Sequence, residues 1–131
     1  MPDNLQKSPL VVMVADADPH IRELAGYFLT EAGYTVTFET DGYEALDSAR
    51  KAPPMAILAD LLLNRLDGLA LCRLLKGDPA TEHIAIIVFS VLAAEERARK
   101  AGADAFMLKP LEKKRLLMAL EEATRKRDMI T

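Results

Sequence analysis

The sequence contains no tryptophan, few aromatic residues and a single cysteine. Little aromatic surface leaves little on which a single-stranded nucleic acid could stack. A net charge of -3 gives no basic face for a phosphate backbone. The short runs Lys113-Lys114-Arg115 and Arg125-Lys126-Arg127 do not change that. Direct nucleic-acid binding is therefore not expected. Cys72 has no second thiol with which to form an internal disulfide, which agrees with a reducing cytoplasm. No apolar run approaches the roughly 18 residues of a membrane span, and MPDNLQKSP lacks the order of a signal peptide. A glycine-rich phosphate loop is also missing, so a nucleotide substrate is not expected. There is no internal repeat, linker or low-complexity segment.

What the chain does have is apolar runs that end in polar residues. Its 131 residues suit one domain, and half of them are hydrophobic, enough for a core. Leu10 to Ala15 ends in Asp16, and Met55 to Ala59 in Asp60. Ile84 to Phe89 ends in Ser90, and Ala105 to Leu108 in Lys109. Runs of this kind read as strands buried on both faces. The run Tyr34 to Thr40 alternates, with β-branched and aromatic residues, and reads as a fifth strand.

Helical segments lie between and after the strands. Asp18 can cap the first, with Pro19 at its first position. It runs from about His20 to Ala32 with an inner stripe of Ile21, Leu24, Ala25, Phe28 and Leu29, and Gly33 stops it. Further helices span about Tyr43 to Lys51, Leu69 to Lys76, Ala93 to Ala101 and Leu111 to Arg127. The last has Leu116, Leu117, Leu120 and Ala123 inside. Residues 1–9 read as a flexible lead-in, 10–127 as the domain and 128–131 as a tail. Strand–helix alternation of this kind implies a parallel sheet with helices on both faces, and ligands of such sheets bind at the carboxyl ends of the strands.

The polar strand ends would then meet. Two carboxylates about 4 Å apart repel by roughly 4 kcal/mol at an effective dielectric of 20. A shared proton, a cation such as Mg²⁺ or the ammonium of Lys109 can offset that. Asp16, Asp18, Asp60, Ser90 and Lys109 together supply the parts that hold a transferring phosphoryl group, and an aspartate can itself be the nucleophile.

In this arrangement the chain resembles the CheY-like receiver domains of two-component response regulators over about Leu10 to Ala123. The likeness rests on ADADP after strand one, Asp60 followed by Asp67-Gly68, Ser90 at the end of strand four, and Lys109-Pro110 after strand five. Each is weak alone, but the four in order are specific. The resemblance implies a flavodoxin-like, doubly wound (βα)₅ fold of class α/β, with five parallel strands in the order 2-1-3-4-5. It implies that Asp60 accepts a phosphoryl group from a sensor histidine kinase or histidine phosphotransfer protein. Mg²⁺ would be held by Asp16, Asp60 and the backbone carbonyl of Leu62, with Asp18 as a further candidate. Ser90 and Lys109 would contact the phosphate. Ser90 and Phe106 would act as switch residues, changing the face of the fourth helix, fifth strand and fifth helix toward a downstream protein. Such a chain is a cytoplasmic phosphoacceptor able to release its own phosphoryl group rather than a turnover enzyme, and is a monomer or a phosphorylation-dependent dimer.

Four departures stand out. Anchored on Pro19, the second acid of the family's pair falls on Ala17, which should weaken metal binding. Asn64 stands where a proline is usual. The interval from Ser90 to Lys109 is short by about one helical turn, three to four residues. Val91 replaces a small residue beside Ser90. These departures support an alternative: a pseudo-receiver that binds partners without phosphate chemistry. A hydrolase with an Asp nucleophile, of the haloacid-dehalogenase kind, ranks last because the chain has no cap domain. The blander readings are a turn carboxylate for Asp60, a surface cation for Lys109, a plain strand end for Ser90 and a cap for Asp18. His20 and His83 lack ligand spacing. Cys72 reads as core packing, and the charges from Glu95 to Lys100 as a solvated helix face.

Overall fold

The structure, a computed structural model, describes residues 10–130, with side chains as far as Arg125. The expected lead-in at 1–9 and the last residue of the expected tail lie outside these. Strands and helices alternate: β1 (Val11–Ala15), α1 (Pro19–Glu31), β2 (Thr35–Glu39), α2 (Gly42–Lys51), β3 (Ala56–Asp60), α3 (Gly68–Lys76), β4 (Ala85–Ser90), α4 (Glu95–Lys100), β5 (Ala105–Leu108) and α5 (Lys113–Ile130). The five strands are parallel and ordered β2-β1-β3-β4-β5. The expected fold class and strand order are both observed.

Period-two alternation builds two cores, one on each side of the sheet. Val12, Val14, Leu58, Ile87 and Phe89 face α1 and α5, meeting Ala25, Leu29, Leu116 and Leu120. Met13, Ile57, Ala59, Ile86 and Val88 face α2, α3 and α4, meeting Leu46, Ala49, Leu71, Cys72, Leu75 and Ala98. Central β4 is buried along its whole length, whereas edge strand β2 is largely exposed. Cys72 lies in the core, and burial pushes its thiol up to about 12, so it packs and does not react.

Three helices start on an aspartate cap. Asp18 accepts from the His20 N–H, Asp41 from Glu44 and Asp67 from Ala70. Gly33 and Gly102 follow helices with φ of 102° and 103°, a region few other residues enter cheaply.

Some expectations shift. Leu24, expected in the inner stripe of α1, is 39% exposed. Ala25 and Leu29 carry the burial, because the inward arc of a helix over a sheet is narrower than the apolar stripe in the sequence. The last helix starts at Lys113, not Leu111, and Leu111 packs on the α1–α5 side as a lead-in. The fourth helix is only Glu95–Lys100.

Candidate functional site

The strand register levels the polar ends. Ala15 pairs with Ala59, Asp60 with Phe89, and Ser90 with Leu108. Asp16, Asp60, Ser90 and Lys109 therefore leave the sheet at one edge, as the sequence pattern implied.

Asp16 is 2% exposed. Its N–H donates to the Glu39 carbonyl at 3.1 Å, which ties it to β2. One carboxylate oxygen accepts from the Asp18 N–H at 2.8 Å, and the other lies 3.2 Å from the Lys109 ammonium. The same ammonium lies 3.5 Å from Asp60 Oδ2. Lys109 therefore bridges both carboxylates, and a largely buried ammonium so placed is a strong partner for them. Beneath it the Phe89 ring centroid is 4.8 Å away, a cation–π seat. Lys109 N–H donates to the Ser90 carbonyl at 2.8 Å, and the Lys109-Pro110 bond is cis.

Asp60 Oδ1 accepts from the Leu62 N–H at 3.3 Å. Burial, and next the negative charge of Asp16, hold the Asp60 carboxyl above the usual carboxylate range, against the Leu62 N–H and Lys109. Ser90 is fully buried, and its Oγ accepts from the Leu92 N–H at 2.9 Å. Phe106 stands mid-strand on β5, half-buried against the α2–α4 core rather than at the edge.

Asp18 is exposed and its Oδ1 caps α1 at 2.9 Å from the His20 nitrogen, so the structure shows its cap role. Ala17 is exposed and brings no donor. Among the described residues, no group of three or more His, Cys, Asp or Glu is placed to hold a metal. Asp16 and Asp60 nonetheless form an oxygen-only carboxylate pair of the kind Mg²⁺ takes with water and a phosphate. The donor set fits that ion with one carboxylate fewer than the acid pair of the resemblance would bring.

Several contributors escaped the sequence reading. Arg22 Nη1 donates to the Asp16 carbonyl at 2.7 Å and so braces the loop that carries it. A cation at i+6 from a strand-end Asp, on the first turn of the next helix, was the available signal. Phe89 under Lys109 could have been read from the strand pairing. Arg65, Asp41 and Tyr43 meet beside the loop after β3, and their separation along the chain hid them.

Residues 12–121 match the family of response regulator receiver domains. Protein PilG of Pseudomonas aeruginosa is 33% identical over 88% of this chain and 88% of its own length. The chain spans 51% of the transcriptional regulator RpaA of Synechocystis, at 29% identity, and 26% of PleD of Caulobacter vibrioides, at 31%. Among solved structures, the receiver domain of a signal transduction histidine kinase from Syntrophus aciditrophicus superposes with TM-score 0.81 at 28% identity, covering 91% of this chain and 92% of that one. The receiver domain of sensor histidine kinase PA1611 from P. aeruginosa has TM-score 0.81 at 25% identity, covering 90% and 99%, and carries a magnesium ion coordinated in its active-site cleft.

Proposed function

Since the chain belongs to the response regulator receiver domain family, we propose that Asp60 accepts a phosphoryl group from a sensor histidine kinase or a histidine phosphotransfer protein. The observation that supports it best is Lys109 Nζ at 3.2 Å from Asp16 and 3.5 Å from Asp60. That ammonium offsets part of the charge of the carboxylate pair before transfer and meets the phosphoryl oxygens after it. An Asp60 oxygen attacks phosphorus in line. The P–O bond forms, the P–N bond breaks, and its electron pair stays on the imidazole.

Asp16, Asp60 and the Leu62 carbonyl would hold Mg²⁺, which neutralises charge on the phosphoryl oxygens when bound. Asp16 is held for this by the Asp18 N–H and by Arg22. Ser90 Oγ leaves the Leu92 N–H to donate to the new phosphate. The phosphoryl group carries about -1.5 to -2 charge and replaces the single charge of the Asp60 carboxylate, so the site gains charge as well as three acceptor oxygens. Phe106 then repacks inward, and the α4–β5–α5 face changes its affinity for a downstream protein. Water slowly returns Asp60 to the free acid. The chain works in the cytoplasm as a monomer or as a dimer formed on phosphorylation.

The test is Mg²⁺ with acetyl phosphate, read by intact mass, and Mg²⁺ with beryllofluoride, read by NMR. One phosphoryl group is expected on the wild type and none on Asp60→Asn. Equal uptake by both sinks the reading.

Ala17 supports a second reading, a pseudo-receiver whose partner binding ignores phosphate. In that case millimolar Mg²⁺ leaves the amides around Asp60 unmoved.

A further inference from the structure

The loop from Leu61 to Asp67 leaves the proposed phosphoacceptor with Leu62 still bonded to it, its N–H 3.3 Å from Asp60 Oδ1. Two of its side chains, Leu61 and Leu63, are buried, while Leu62 is 53% exposed. Its far half is bent hard. The Leu66 N–H donates to the Asn64 carbonyl at 2.7 Å, and Arg65 between them has φ of 69°. A two-residue hydrogen bond around a positive φ is the rare, strained form of γ-turn. Arginine has no local means of easing that conformation, unlike Gly or Asn. Its side chain must hold it there.

Two side-chain contacts do so, and a backbone bond beside them joins the same loop to the start of α2. Arg65 Nη1 lies 3.1 Å from Asp41 Oδ2. The guanidinium stacks over the Tyr43 ring at 5.1 Å. Between these residues the Gly42 N–H donates to the Asn64 carbonyl at 3.1 Å, and the backbones meet so closely that a Cβ on Gly42 would fall 1.8 Å from the Leu66 carbonyl oxygen. Asp41 is already fixed, because its other oxygen caps α2 through the Glu44 N–H at 2.9 Å. A planar guanidinium that meets a carboxylate and an aromatic face at once is a site where Arg and Lys differ.

We propose that Arg65, seated on Asp41 and Tyr43, is a positioning residue that clamps the β3–α3 loop to the N-terminus of α2 and so holds Leu62 against Asp60. The clamp sets how well the Leu62 carbonyl and the Asp60 carboxylate face one ion and one phosphoryl group. It rests on the reading of Asp60 as phosphoacceptor.

The experiment compares wild type with Arg65→Asn and Arg65→Lys. Asn tolerates the left-handed region, so the fold is spared while the clamp is lost. NMR follows Mg²⁺ titration, beryllofluoride uptake and hydrogen exchange at the Leu62, Leu66 and Gly42 amides, and a thermal melt accompanies it. Arg65→Asn is expected to weaken Mg²⁺ binding about twofold to fivefold, the scale of a partly exposed ion pair. It also speeds exchange at Leu62 and Leu66 with Tm within about 2 °C of wild type. Lys restores part of both losses. Unchanged Mg²⁺ affinity and unchanged Leu62 exchange in Arg65→Asn overturn the proposal, as does a loss that merely follows Tm. If wild type itself takes neither Mg²⁺ nor beryllofluoride, the phosphoacceptor reading has failed instead. The exchange rates at Leu62 and Leu66 then decide the clamp alone.

Discussion

At the scale of single residues, the proposed metal site can be probed at Ala17. It is exposed beside a carboxylate pair, and the loop around it is already built: Asp16 is buried and bridged, and Asp18 is spent on the helix cap. Ala17→Asp therefore adds one carboxylate to a formed site rather than creating a site. Mg²⁺ affinity should rise by about tenfold or more, because a third anionic oxygen donor adds both charge and a ligand. A change below twofold in an NMR titration would show that position 17 does not face the ion. Asp60 itself makes a second prediction. Burial and the charge of Asp16 raise its pKa above the ordinary value of 3.8. A carboxyl whose native pKa is raised binds its proton more tightly folded than unfolded. Its favourable contribution is full below pH 3.8 and is lost as pH rises through the native value. Asp60→Asn should therefore melt higher than wild type at pH 7, and the difference should shrink as the pH approaches 4. A difference independent of pH removes the electrostatic explanation. Asp16, Asp60, Ser90 and Lys109 were legible because each ends an apolar run. Arg65 was not, because its partner Asp41 is 24 residues away and a positive φ leaves no mark on an arginine.

At the scale of elements, alternation of apolar runs and amphipathic segments carried almost the whole fold. What it missed are bolts between elements. Lys76 at the end of α3 lies 2.8 Å from Asp104, which precedes β5, and its ammonium also donates to the Ile84 carbonyl at 2.7 Å. Asp104 Oδ2 accepts from the Ile86 N–H at 2.9 Å. One pair thus pins α3, β4 and β5 together at the end of the sheet opposite the site. In the sequence both residues look like solvated charges, since a Lys at a helix end and an Asp in a turn are common there. Asp104→Ala leaves the Ile86 N–H and a mostly buried ammonium without their carboxylate, so it should cost about 2–4 kcal/mol. Lys76→Met keeps the Ile86 bond and replaces the charge with an apolar chain, so it should cost less. Urea midpoints at constant m-value measure both. Equal losses, or none, would show that the pair is only a surface contact.

At the scale of the whole molecule, one sheet carries both the site and the strands beside α4 and α5. Lys109 is tied to Ser90 by its backbone N–H, and Ser90 in turn holds the Leu92 N–H with its Oγ. Only two residues separate Leu92 from the start of α4, and Phe106 packs on the same side of the sheet. With α4 reduced to six residues, there is little helix through which to spread a displacement. A movement at Ser90 should therefore reach α4 almost directly. The buried core cannot deform smoothly, so the response takes the form of two packings in exchange. On the proposed reading, beryllofluoride with Mg²⁺ would draw the Ser90 hydroxyl toward the phosphate mimic and free the Leu92 N–H. The expected result is faster hydrogen exchange at Leu92, with shifts at Ala94, Ala98 and Phe106, and little change at Val12, Val14 or Leu120 in the opposite core. Ser90→Ala should still bind the mimic but show no such response, because the group that moves is gone. Shifts confined to Asp16, Asp60 and Leu62 would mean that the ion is held without switching the α4–β5–α5 face. The same measurement therefore separates a receiver that signals by phosphate from one whose surface signals without it.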